Sequence, residues 1–179
     1  MNRREAIYNF VVVSAGMMLL PSCGQNERRS ATIPLKNYSL TAEEETMVRQ
    51  LTDLIIPKTN DFIGAADVKA TDFALMMVDD CYPPEKQKDF KEGLQQFDKM
   101  AKDKYGKSFV NCTDAQKKEF LLAMESKKDI PEKVGIFYGA TRGLTIQAFT
   151  SSQQYLLGVA KYKLVPGSNF KGCVPVKKA

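Results

Sequence analysis

Apolar residues recur every three or four positions through most of this chain, which predicts a series of amphipathic helices. Met47, Val48, Leu51, Leu54 and Ile55 form the first stripe. Thr41-Ala42-Glu43-Glu44 opens it as a capping box, in which the Thr41 hydroxyl accepts from the Glu44 N–H while the Glu44 side chain reaches back. Pro57 closes it, because the residue before a proline disfavours the helical region. Glu43, Glu44 and Glu45 suit the positive end of a helix dipole. A loop from Pro57 to Asp67 follows, with Asn60, Asp61 and Gly64 as turn residues. The second helix is expected from about Val68 to Asp80, burying Phe73, Met76 and Met77. Asp79 and Asp80 at its end are too few oxygens for a calcium site. Pro83-Pro84 starts a third helix, whose inward positions are Phe90, Leu94, Phe97, Ala101 and Tyr105. Gly106 ends it.

Thr113-Asp114-Ala115-Gln116 is a second capping box and opens a fourth helix, with Phe120, Leu121 and Met124 inward. Pro131 begins the fifth. From Val134 to Phe149 it carries one charge, Arg142. Gly135, Gly139 and Gly143 fall at four-residue spacing and so share one face. Glycine costs about 1 kcal/mol relative to alanine inside a helix, so such a stripe points to close approach by another backbone. Two readings stay open: tight packing inside the domain, or a partner's surface. Ser151 or Ser152 caps a short sixth helix through Tyr155 to Val159. Beyond it runs a stretch punctuated by Pro and Gly and too apolar for a free tail, with its own domain or another chain to lie on. The pattern as a whole predicts an all-α fold, a compact bundle of about five to six helices with an extended C-terminal tail.

The first residues follow a different pattern. Arg3-Arg4 precedes a run without charges from Ala6 to Leu20, and Leu20-Pro21-Ser22-Cys23 follows. A positive start, a short apolar core and a small residue before the cut are the parts of a secretory signal. The run is shorter than the ~20 residues that span a bilayer. Arg3 and Arg4 resemble a twin-arginine export motif, with the general export route as the alternative. Leu20 to Cys23 resembles a bacterial lipobox, which makes Cys23 the lipid-attachment residue. The expected organisation is a signal peptide over 1–22, a flexible tether over 23–37, and a helical domain over 38–179. The expected location is the periplasmic side of the bacterial cell envelope, with the chain held to a membrane by its lipid anchor.

Composition narrows the chemistry. The formal charge is +5, with the lysines spread along the chain rather than clustered with aromatics, which argues against a nucleic-acid site. There is no histidine, which removes His-based general bases, Ser-His-Asp and Cys-His sites, and His-ligated metal or haem. No glycine-rich phosphate loop or dinucleotide fingerprint is present. No catalytic, cofactor-binding or metal-binding residue is therefore assigned. With Cys23 reserved for lipid, Cys81, Cys112 and Cys173 remain. They are open to one disulfide plus a thiol free for a partner, or to three reduced thiols.

At several points the chain resembles the gluconate 2-dehydrogenase subunit 3 family. The resemblance covers about residues 38–175. It rests on Leu51-Thr52-Asp53-Leu54-Ile55-Ile56-Pro57, Gly64-Ala65-Ala66-Asp67-Val68, Gly106-Lys107-Ser108-Phe109, Phe149-Thr150-Ser151-Ser152, and the terminal Val165-Pro166-Gly167 with Phe170-Lys171-Gly172-Cys173. Ile63 stands where the family often has proline. The resemblance implies a non-catalytic small subunit, with FAD held by a large partner of the glucose-methanol-choline type that oxidises a sugar or polyol. A cytochrome c or other acceptor would take the electrons. It also implies that the small subunit stabilises the large one and carries it across the membrane. Gly135, Gly139, Gly143, Pro166, Gly167, Phe170 and Cys173 are the expected partner-contacting residues, Cys173 as an intersubunit disulfide. The alternative is a stand-alone cell-envelope lipoprotein that binds a small ligand or a partner protein.

Overall fold

Both threonine capping boxes form. In the computed structural model, which describes residues 32–126 and 130–163, Thr41 Oγ1 accepts from Glu44 N while Glu44 Oε2 accepts from Thr41 N. Thr113 and Gln116 repeat the arrangement. Helix α1 runs Ala42–Ile55, α2 Ala70–Cys81, α3 Pro84–Tyr105, α4 Asp114–Glu125, α5 Glu132–Thr150 and α6 Gln153–Gly158. Two short 3-10 turns, Ala66–Val68 and Phe109–Asn111, fill the gaps before α2 and α4. Among the described residues the architecture is all-α, as the periodicity predicts. Pro84 sits in the first turn of α3, where its missing N–H costs nothing. Gly106 ends α3 at φ 71°, a conformation that side chains rarely adopt.

The core is built around α3. Phe90, Leu94, Phe97 and Ala101 are buried at the expected spacing, and Tyr105 is half-buried. Phe97 meets Phe109 and Phe120 edge-on, each at 5.0 Å between ring centres, and Phe137 of α5 at 5.4 Å. Phe90 meets Phe137 at 5.0 Å. Such T-shaped pairs add roughly 0.5–1.5 kcal/mol each beyond area burial. Helices α3 and α5 make the most extensive helix contact, and α2 also packs on α5.

Three expectations are corrected. Helix α2 begins at Ala70 rather than Val68, because Lys69 takes a left-handed conformation at φ 53° that separates it from the preceding 3-10 turn. Its buried face is Ala70, Thr71, Ala74, Leu75 and Val78, not Phe73, Met76 and Met77. Met76 is 46% exposed, while Phe73 and Met77 sit half-buried at the flank. The small residues let α2 lie close to α5, where Ala70 joins Ala148 in a second small cluster. Bulk misled the sequence reading: the larger side chains border the contact rather than fill it.

The third correction concerns the expected tether. Residues 32–37 are not free of the bundle. The buried Asp79 carboxylate accepts from the backbone N–H groups of Lys36 at 2.7 Å, Asn37 at 2.8 Å and Tyr38 at 3.3 Å. The buried Glu45 carboxylate accepts from Thr32 N and Ile33 N, and from the Thr32 hydroxyl. Burial pushes both carboxyls up, but these donors outweigh it and hold both below the usual carboxylate range. Ile33 and Leu40 are buried as a result, and Tyr38 meets Phe90 edge-on. The packed domain therefore includes Thr32 to Asn37, assigned above to the tether. Residues 1–31, with Arg3, Arg4 and Cys23, lie outside the described residues, as do Pro166, Gly167, Phe170 and Cys173.

Candidate partner-docking face

Helix α5 turns two chemically different faces outward and inward. Inward, Val134, Phe137, Tyr138, Thr141, Leu144, Thr145 and Ala148 are buried against α1, α2 and α3. Outward lie Gly135, Gly139 and Gly143, all exposed, and a Cβ built on any of them meets nothing within 4 Å. The reading of these glycines as tight packing within the domain is thereby overturned, and the partner-surface reading remains. The helical glycine that does allow close packing is Gly93 on α3. A Cβ there would lie 2.1 Å from the Lys133 carbonyl oxygen and 2.7 Å from Phe137 Cβ. A lone glycine inside an otherwise amphipathic helix is the sequence signal that would have found it.

Apolar residues flank the glycine stripe on both sides. Ile136 and Ile146 are 37% and 38% exposed, well above what a core position shows. On one side, Ile136 and Ala140 line a cleft with Cys81 at the end of α2 and Tyr82 and Pro83 from the turn before α3. On the other, Ile146 lines a groove of about 470 Å³ with Leu54 and Ile55 from the end of α1 and Leu121 and Leu122 from α4. Phe120 and Met124 of α4 point into the core, whereas Leu121 is half-buried and Leu122 is 71% exposed. Arg142, the one charge in the run, is not loose: its Nε lies 3.0 Å from Glu125 Oε1. The Tyr138 hydroxyl donates to the same oxygen at 2.6 Å. Burial, and then this carboxylate, push the Tyr138 hydroxyl up, so it remains a donor at any ordinary pH. What α5 offers outward is thus mostly small and apolar, with the exposed Arg142 side chain tied to Glu125 and Gln147 exposed beside Ile146.

The cysteines divide. Cys81 is exposed beside the outer face of α5, Cys112 is buried with its thiol donating to Ser108 O at 3.5 Å, and neither is in a disulfide. Among the described residues no group of three Cys, Asp or Glu side chains is placed to hold a metal ion. No described helix is long and apolar enough to cross a membrane. The Asp79 and Asp80 pair separates in role: Asp79 is buried beneath Lys36, Asn37 and Tyr38, and Asp80 lies at the surface near Lys36 Nζ, 3.9 Å away.

Neither a curated protein nor a solved structure matches the chain. A family model does: it spans residues 42–167, more than half of the chain, from the first residue of α1 to the start of the C-terminal tail, and its description is gluconate 2-dehydrogenase subunit 3. An all-α bundle with an open, apolar helix face fits a protein that works as part of a larger assembly, and the chain belongs to the gluconate 2-dehydrogenase subunit 3 family.

Proposed function

We propose that this chain is the accessory small subunit of an FAD-dependent sugar or polyol dehydrogenase, contributes no catalytic group, and docks the catalytic subunit on the outer face of α5. The observation that carries the reading is the open glycine stripe. Three glycines at four-residue spacing with free space above each are a stability cost that the isolated bundle does not need. They become useful when another backbone comes close, as small-residue stripes allow. The flavin and the sugar chemistry sit on the partner, with a cytochrome c or other carrier accepting the electrons. Cys173 supplies a covalent link to the partner in the oxidising compartment.

The export role follows from the first residues of the chain. Arg3 and Arg4 route the chain to an exporter of folded proteins, so a flavoprotein subunit already folded around FAD travels with it. Cys23 then holds the complex at the membrane on the periplasmic side. A tagged chain purified from its own host in mild detergent tests the proposal. A yellow one-to-one complex with a large flavoprotein supports it, whereas a colourless chain alone counts against it.

A further inference from the structure

Residues 32–40 lie against α1, α2 and α3 as an irregular strap, and two buried carboxylates hold it down. On α2, Asp79 accepts from the backbone N–H groups of Lys36, Asn37 and Tyr38, and the Asp79 carbonyl oxygen accepts from the Asn37 side-chain amide at 2.7 Å. On α1, Glu45 accepts from Thr32 N, Ile33 N and the Thr32 hydroxyl. On α3, Lys91 Nζ donates to Ser39 O at 2.6 Å. Most of the strap's polar attachment therefore ends on two ionisable groups. A carboxyl that takes up a proton loses acceptor capacity and turns an O–H donor toward N–H donors. The groups around them do not replace what is lost. Asp79 is faced by Lys36 and Asp80, by the neutral Gln87 amide, which donates to its carbonyl oxygen at 2.8 Å, and by Tyr38. Burial and then Asp79 push the Tyr38 hydroxyl up, so it stays protonated. Glu45 is faced by Arg49 at 2.8 Å, which also lies 3.7 Å from Asp72.

We propose that the strap is an acid-released latch: protonation of Asp79 and Glu45 detaches residues 32–40 and uncovers the edge of the core at Phe90, while the helical bundle stays folded. Phe90 is buried, and the Tyr38 ring lies edge-on to it at 6.3 Å. The bundle has what it needs without the strap. Helix α1 keeps its own capping box between Thr41 and Glu44, and the ring cluster of Phe97, Phe109, Phe120 and Phe137 contains no strap residue. The direction of the response follows from the geometry. Burial raises both carboxyls and the strap's donors more than offset it, so both sit below the usual carboxylate range while the strap is closed. The hold is then full at neutral pH and is lost as pH falls through the closed-state values. With open-state values near 3.9 and 4.3, the two groups together weaken closure by up to about 25-fold at pH 3.5, and roughly tenfold when they titrate in part while closed. The latch stands on this chain's own contacts and holds whether or not a flavoprotein is the partner.

The test is amide hydrogen exchange, read by mass spectrometry on the full-length mature chain at pH 6 and pH 3.5, with each rate divided by the intrinsic rate at that pH. Peptides over residues 32–40 report on the strap, and peptides over Phe90 to Ala101 of α3 are the control. The proposal expects strap protection to fall roughly tenfold at pH 3.5, to return at pH 6, and to leave α3 unchanged. Asp79→Asn should expose residues 36–38 to exchange already at pH 6 and remove most of their pH response. Glu45→Gln, which leaves the Asp79 contacts in place, should loosen Thr32 and Ile33 more than residues 36–38. Strap protection in the parent chain that ignores pH overturns the proposal. So does protection that falls in step with α3, which would make the acid response global unfolding, and so does a strap that shows no protection at pH 6.

Discussion

Gly93 and Gly139 are both helical glycines, one on α3 and one on α5, and they should respond to alanine in opposite senses. At Gly93 the new Cβ would lie 2.1 Å from the Lys133 carbonyl oxygen, where ordinary contact begins at 3.4 Å. The obstacle is backbone, which no rotamer change can move. Helices α3 and α5 must separate by about 1 Å, and a gap of that size forfeits a quarter to a half of each contact it opens. The contacts at stake include the Phe90–Phe137 and Phe97–Phe137 ring pairs. Overpacking of this kind costs ~1–3 kcal/mol, and the lost ring pairs ~0.5–1.5 kcal/mol each, against ~1 kcal/mol gained from helix propensity. The expected net for Gly93→Ala is a loss of about 2–3 kcal/mol. Gly139→Ala meets open space and should gain about 1 kcal/mol. Urea unfolding of the mature chain reads both. The mid-point should fall for Gly93→Ala and rise for Gly139→Ala with unchanged slope. If Gly93→Ala were as stable as the parent, the packing argument would be refuted. If Gly139→Ala were destabilised, the glycine face would not be open.

Three further outcomes follow from the same reasoning. Asp79 and Glu45 have folded-state values below their unfolded ones, so their contribution is fully present above the unfolded values near pH 4 and is lost as pH falls through the folded ones. Melting temperature should hold from neutrality to about pH 5 and decline below it, and Asp79→Ala should lose about 3 kcal/mol at pH 7 by leaving the backbone N–H groups of Lys36, Asn37 and Tyr38 without their acceptor. Non-reducing gels of the purified complex should keep the two subunits together, and Cys173→Ser should release them; separation of the parent complex without reductant would remove Cys173 from the interface. Cys23→Ser should abolish processing and move the chain out of the membrane fraction, and an unchanged fractionation would sink the lipid-anchor assignment.

Features set by local chemistry were readable from the chain. The two capping boxes, the proline start of α3, its glycine stop and the Phe90–Ala101 stripe depend on residues within a few positions of one another. What escaped depends on distant partners. Asp79 looked like a helix-end carboxylate, since its three donors lie more than forty residues earlier. Glu45 looked like one more helix-start charge, yet it is the residue that captures Thr32 and Ile33. The face of α2 was misjudged because side-chain size, rather than the alanine spacing that permits contact with α5, set the expectation. The glycine stripe was visible as a stripe, but its direction depends on which side of α5 meets α3, and that is decided by Gly93.

Co-purification from the native host with Gly139→Leu in place of the parent chain tests whether the outer face of α5 docks the catalytic subunit. The substitution adds a large side chain to the middle of the outer face of α5, where nothing in this chain stands in its way. If that face is the docking surface, the variant should keep or raise its own melting temperature and come off the column colourless, whereas the parent chain should bring a yellow flavoprotein with it. A variant that retains a yellow partner at the parent's stoichiometry would place the docking surface elsewhere on the bundle.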